Sequence, residues 1–358
     1  MKDAFFKLLQ VALGVSHAKL DFTIDEWIYC FDQAQKQCLV AVLFPAIKNC
    51  IKDSGEIRIK PLFSEWLGLT VQIDARNRLL NERVSFLSKM FDSWGYQSCV
   101  LKGQGVAQLY PEPHLRQSGD IDIWVYGGHD NIIKSISEHS ISIRNIDYVH
   151  SGIYIFDDVE VEVHYRPTWL YNPFTNSILQ SFFRNNAKVQ FDHFDEAVHF
   201  SYPTIGFNLV YSLIHINRHI FEEGIGLRQL LDYYYILEKS SKQERIEAYY
   251  ILKALHLKRF TGALMYIMHV AFGVKEELLL CAQNQSAGNS LLEDVLKGGN
   301  FGRYDDRNKW LPVQKRFLRG FYSAKRNYRY MTLCPSEVLW MPFWKLWHWC
   351  WRKKKGYL

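Results

Sequence analysis

"LRQSGDIDIWV", Leu115 to Val125, puts two aspartates one residue apart inside a run that otherwise reads as a buried strand. Strand side chains alternate faces, so Asp120 and Asp122 point one way while Ile121 and Ile123 point the other way into a core. Two carboxylates this close raise each other's pKa values and resist joint ionisation. A divalent cation removes the conflict, and an all-oxygen site favours Mg²⁺ or Mn²⁺. Taken alone, the same tripeptide also reads as a solvent-facing strand surface.

Its neighbours favour the metal reading. Upstream, "VLKGQG" sets a strand end beside Gly103, where backbone approaches a phosphate with no Cβ in the way. Arg116 and Ser118 are available as phosphate ligands, and Gly119 permits a tight entry into the strand. Downstream, "VEVEVHYRP" offers Glu160, Glu162 and His164 on one face of a further strand, alternating with Val159, Val161 and Val163. A third carboxylate across the sheet would complete a two-metal site, and spacing does not choose between Glu160 and Glu162.

Around this centre the texture is mixed α+β over residues 95–200. "YQSCVLKG" is a short apolar run, "QGVAQLYPEP" a brief helix closed by prolines, and "HDNIIKSISEHS" a helix. "ISIRNIDYVHS", "GIYIFDD" and "VEVEVHYRP" read as three strands with Ser-Gly and Asp-Asp turns. Residues 1–94 show helical spacing, in "FTIDEWIYCFDQAQKQCLVAVLFPAI" and in "LTVQIDARNRLLNERVSFLSKMFDSWG". The second carries Arg, Asn and Glu on outward positions and stops at Gly95, as helices often stop at glycine. Helical spacing returns at "SYPTIGFNLVYSLIHINRHIF" and persists through 201–358, with a Gly-rich loose connection at "LKGGNFGRYDDRN".

A chain of 358 residues, 48% hydrophobic and 22% charged, can bury a core of two or three domains. From Lys315 onward there are 11 Lys or Arg against the single acid Glu337, more than the +6 of the whole, so the body is net negative and the tail basic. Seven scattered cysteines without a C-x-x-C pair read as buried free thiols in a reducing compartment, with neither a disulfide framework nor a zinc site. "MKDAFFKLLQVALG" is interrupted by Lys7 and Gln10, and no apolar run reaches the roughly 18 residues a spanning helix needs. The expected location is the cytoplasm.

"LKG", then "LYPEPHLRQSGDIDIWV", then "VEVHYRP" resembles a poorly characterised bacterial nucleotidyltransferase group within the DNA polymerase β superfamily. "LVYSLIHINRH" and "LRQLLDYYYIL" are similar to that group's later helices, so the likeness covers roughly residues 70 to 240. The resemblance implies an α+β nucleotidyltransferase palm flanked by helical regions. Asp120 and Asp122 would hold two metal ions, and Glu162, at the position of the group's Glu-x-His, would hold the catalytic one with them. Attack on the α-phosphate of a nucleoside triphosphate would then move a nucleoside monophosphate to an acceptor hydroxyl or phosphate. The implied nucleotide-binding set is Lys102, Gly103, Gln104, Arg116, Ser118, His164 and Arg228. One departure is Gln104, where the wider superfamily places a serine that helps to hold the phosphates.

His215 and His219 have the four-residue spacing of paired zinc ligands, but no Glu lies between them and the apolar "LVYSLI" before them argues for a packed helix. Arg228 and Asp232 are placed for an i,i+4 pair. In the tail, Trp340, Trp344, Trp347 and Trp351 form a stripe, followed by Lys353 to Lys355. That stripe suits a membrane interface, but the leading expectation is docking on the chain's own core or on a partner, because no anchor of spanning length exists. Pro342 should shorten any helix there. A nucleic-acid acceptor would suit the basic tail, although nothing resembles a base-reading module. A catalytically inactive scaffold on the same fold is the competing expectation.

Overall fold

The computed structural model describes residues 1–54, 60–305 and 327–357, so part of the basic tail and the end of the Gly-rich connection lie outside the described residues. Four helices come first: α1 (Lys2–Ala12), α2 (Ile24–Lys36), α3 (Val40–Ser54) and α4 (Lys60–Ser93). In α4, Trp66, Thr70, Asn77, Leu80, Val84, Leu87 and Phe91 recur at helical spacing and form its buried face. The helix closes as expected: Gly95 takes φ of 82°, and the Tyr96 N–H returns to the Phe91 carbonyl at 2.9 Å.

A five-stranded mixed sheet follows, built from β1 (Ser98–Val100), β2 (Ile121–Val125), β3 (Ser142–Arg144), β4 (His150–Tyr154) and β5 (Val161–His164), in the order β1-β2-β5-β4-β3. Only β2 and β5 are parallel neighbours, and Asp122 is the register partner of Glu162. Two short helices, α5 (Gln104–Ala107) and α6 (His129–Glu138), interrupt the strands. The Asp-Asp turn stands where expected, tied to α4 by Arg76 at 2.9 Å from Asp158. The Ser-Gly turn does not: Ser151 and Gly152 lie inside β4, and the chain instead bends between β3 and β4, where Asn145 takes φ of 53°. Asparagine tolerates that left-handed backbone better than most residues, so the bend formed there.

The sheet's two faces meet different partners. Ile121, Ile123, Val161 and Val163 pack with Leu80, Val84 and Leu87 of α4 and with Ile132 and Ile136 of α6. The opposite face, through Cys99, Leu101 and Trp124, joins the larger helical core. Trp124 stacks near Phe191 of α7 (Pro173–Asp192), a helix not anticipated between sheet and tail, and near Phe207 of α8 (Ile205–Glu222). This same core holds α1 to α3 together with α8, α9 (Leu227–Lys239), α10 (Lys242–Ala254), α11 (Lys258–Phe272) and α12 (Gln285–Gly298). Gln37 stitches the two helical sections, donating to the Val295 carbonyl at 3.1 Å and accepting from the Leu227 N–H at 2.8 Å.

The terminal helix α13 (Pro335–Lys355) runs through Pro342 without stopping, contrary to the sequence expectation. A proline forfeits one backbone bond, and here one face is anchored along the whole length. Glu337 accepts from the Tyr171 N–H at 2.7 Å, Trp344 stacks on Trp169 at 5.1 Å, and Trp351 lies 5.4 Å from His129. Trp344 and Trp351 thus dock on the chain's own core. No helix among the described residues is long and apolar enough to cross a membrane.

Candidate active site

Where the helical cover over Trp124 ends, the sheet face opens into a cleft of about 400 Å³ between β2, β5 and helices α8 and α9. Asp120, Asp122, Glu160, Glu162 and His164 line one wall, and His215, Arg218, His219 and Arg228 the other. A larger groove of about 910 Å³ beside α1 and α3 has no comparable convergence of acids and bases.

Asp120, Asp122 and Glu162 each bring a carboxylate oxygen within 4.8 Å of the others, a hard-oxygen set that fits one divalent cation. Adjacent parallel strands make this possible, because register partners there project side by side from one face. Ile121 and Ile123, 2% and 0% exposed, hold β2 from behind, as the alternation required. Glu160 is exposed on the cleft rim, just outside β5. A second group within the same distance is His150, Glu162 and His164, which brings in His150 of β4.

Asp122 and Glu162 are already partnered. Lys102 Nζ lies 2.7 Å from Asp122 Oδ1, and His164 Nε2 lies 2.9 Å from the same oxygen. His150 and His164 stand 3.6 and 3.5 Å from Glu162. Burial alone would raise Asp122, but Lys102 and His164 outweigh it and hold its pKa below the usual value. Burial likewise opposes ionisation of Glu162, yet His164, His150 and Lys102 bring it to about 2. The same pairings act in reverse on the cations: burial disfavours charge on Lys102 and His164, and the surrounding carboxylates still lift both above their ordinary values. Across the cleft, burial and then Lys102 push His215 well below its ordinary value, and its Nε2 lies 2.8 Å from His219 Nε2.

Gly103 turns the chain from β1 into α5 with φ of 52°, a left-handed value that favours glycine, and its Cα faces the Asp120 carbonyl. Gln104 follows but points away: its amide donates to the Asn77 carbonyl and to Asn81 Oδ1 of α4, and it is 3% exposed. The side chain therefore stands outside the cleft and does not replace the phosphate-holding serine. Arg116 is likewise engaged, with Nε and Nη2 each 2.7 Å from Asp232 and Nη1 2.9 Å from Ser118 Oγ. Ser118 serves this clamp and lies off the cleft lining. The expected pairing of Arg228 with Asp232 is corrected by this geometry: Arg228 instead donates to the Gln117 carbonyl at 2.8 Å and lies over the Phe301 ring.

Several residues that line the cleft were not anticipated: His150, Ser212, Arg218 and Phe301. His150 was legible only with the β4–β5 register in hand, and Phe301 sat in a stretch read as a loose connection. Asn77, an apparent surface position on α4, is fully buried and donates to the His114 and Arg116 carbonyls, pinning the loop that leads into β2.

No curated protein matches the chain. The model of a family described as an uncharacterised nucleotidyltransferase matches residues 25–273, from α2 to the end of α11, wider than the span carrying the motifs. With well over half of its length matched, the chain belongs to that nucleotidyltransferase family.

Proposed function

We propose that the chain transfers a nucleoside monophosphate from a nucleoside triphosphate to an acceptor hydroxyl or phosphate, with Asp120, Asp122 and Glu162 as ligands of Mg²⁺ or Mn²⁺ in a palm-type centre. The observation that carries this reading is the convergence of three carboxylates on one strand-pair face, in a cleft that also brings in Lys102, Arg218 and Arg228. Bound there, divalent metal would supply charge neutralisation at the α-phosphate and lower the pKa of the attacking hydroxyl.

The chain's own residues set up the rest. Gly103 lets backbone approach the triphosphate, and Lys102, now 2.7 Å from Asp122, would serve as a phosphate partner once a metal held that carboxylate. Arg228 lines the opposite wall, available to a triphosphate that enters between sheet and helices, whereas Arg218 beside it is paired with Glu222 at 2.6 Å. Arg116, held by Asp232, acts as a wall of the cleft and a positioning residue for β2. His164 orients Asp122 through its 2.9 Å contact.

A second reading is a nucleotide-binding scaffold without turnover. Lys102 Nζ, 2.7 Å from Asp122, already neutralises the carboxylate that a metal would need, and the phosphate-holding serine is absent. Calorimetric titration separates the two. Each nucleoside triphosphate with a non-hydrolysable α,β bridge is added with and without Mg²⁺, to the parent chain and to Asp120→Asn/Asp122→Asn. Metal-dependent binding that vanishes in the double variant supports the transferase. Binding that is indifferent to metal and retained by the variant supports the scaffold, and no binding by a folded chain sinks both.

A further inference from the structure

The terminal helix α13 has two apolar faces, and the described residues pack against one. Met341, Trp344, His348 and Trp351 follow each other every three or four residues against the body. On the other side, Leu339, Phe343, Leu346 and Trp349 are 59%, 65%, 62% and 50% exposed. The patch continues onto α7: Phe343 lies 5.7 Å from Trp340, which lies 5.8 Å from Phe174, itself 70% exposed. Between the two helices runs a groove of about 500 Å³ with Trp340, Phe343, Trp344 and Trp347 along its rim. Contiguous exposed apolar surface of this kind marks an interaction site.

The cations at its end indicate the partner. Lys353 and Lys354 are exposed, Lys353 reaching over the Trp349 ring at 5.5 Å, whereas Lys355 is paired with Asp130 at 2.8 Å. We propose that this face of α13 docks in the plane of an anionic lipid surface, with Phe343, Leu346 and Trp349 entering the headgroup boundary and Lys353 and Lys354 meeting lipid phosphates. Exposed tryptophan beside a lysine cluster suits that boundary, and a helix unable to span lies along it. A second copy of the chain fits less well, because the only acid on α13, Glu337, is 1% exposed on the docked side and leaves nothing on the ridge to meet a partner's lysines.

Flotation of the full chain with phosphatidylcholine vesicles, and with vesicles that also contain phosphatidylglycerol, tests this. Quenching of tryptophan emission by bromine-labelled lipid chains reports insertion. The chain should float with the anionic vesicles, be quenched by them, and bind the neutral ones far more weakly. Lys353→Ala/Lys354→Ala should weaken anionic binding roughly thirtyfold, from about fivefold per cation. Phe343→Ser/Leu346→Ser should lose quenching while melting like the parent, since both positions are exposed. Absence of the parent from anionic vesicles overturns the proposal, as does equal binding by all variants. So does a dimer in sedimentation that Phe343→Ser/Leu346→Ser dissolves, which would assign the face to a second copy.

Discussion

Arg116 and Asp232 form a two-armed ion pair, Nε to Oδ1 and Nη2 to Oδ2 both at 2.7 Å, that ties the loop before β2 to helix α9. Tyr110 donates its hydroxyl to the same Asp232 Oδ1 at 2.7 Å, so a single carboxylate satisfies three buried donor groups on two side chains. Removing it strands a buried guanidinium. Asp232→Ala should therefore cost about 3–5 kcal/mol of stability, read from urea unfolding. Arg116→Met/Asp232→Leu should recover a good part of that loss, because no charge is left without a partner. A single variant within about 0.5 kcal/mol of the parent would show that the pair is not structural.

The choice between the two glutamates before His164 is open to direct test. Glu162 is the register partner of Asp122 and converges with both aspartates, while Glu160 stands exposed on the rim. Titration with Mn²⁺, followed by electron paramagnetic resonance, should show binding lost in Glu162→Gln and nearly unchanged in Glu160→Gln. Once a substrate pair is known, Glu162→Gln should also lower turnover by about a hundredfold or more. Equal effects at both positions would remove Glu162 from the ligand set.

How far the site could be read from sequence follows from how local each cause is. The alternation in Gly119 to Val125 fixed the facing of Asp120 and Asp122, because strand geometry acts between nearest neighbours. Gly95 was readable for the same reason, as the stop of α4, whereas Gly103 was read as a close backbone approach and its left-handed φ of 52° came from the structure. Arg116 and Asp232 lie 116 residues apart, and only the packing of α9 on the β2 loop brings them together. Local spacing pointed to Arg228 as the partner of Asp232, and tertiary geometry chose Arg116. His150 likewise enters the acid cluster through strand register, which the Ser-Gly dipeptide inside β4 disguised as a turn. Pro342 failed as a helix stop because the docked tryptophans outweigh one missing backbone bond.

Lys102 should influence metal and nucleotide in opposite directions. Its ammonium sits 2.7 Å from Asp122 Oδ1, so on the proposed reading a divalent ion would compete with it, and the freed side chain would be available to phosphate. Lys102→Met should bind Mn²⁺ more tightly than the parent in the absence of nucleotide. The same variant should bind the triphosphate analogue about ten- to hundredfold more weakly in saturating metal, the size of a lost charged hydrogen bond. Weaker binding of both would mean that Lys102 only holds Asp122 in place.

Glu337 gives the fold a distinct dependence on pH. It is 1% exposed, and burial raises its pKa to about 7 although the Tyr171 and Asn172 N–H groups favour the charged form. Below about pH 4.5 it is protonated in both folded and unfolded chains and contributes no slope. Between about 4.5 and about 7 the unfolded chain ionises while the folded one keeps its proton, so stability falls as pH rises. Above about 7 the loss is complete, on the order of 3 kcal/mol from the difference between the two pKa values. Burial-depressed histidines such as His150 and His215 act with the opposite sign, stabilising as pH rises, so the diagnostic quantity is a difference between two proteins. Glu337→Gln keeps an acceptor for the Tyr171 N–H and removes the titration. Urea midpoints across this window should show the variant gaining on the parent as pH increases, and parallel curves would mean that Glu337 ionises at an ordinary pKa in the folded chain.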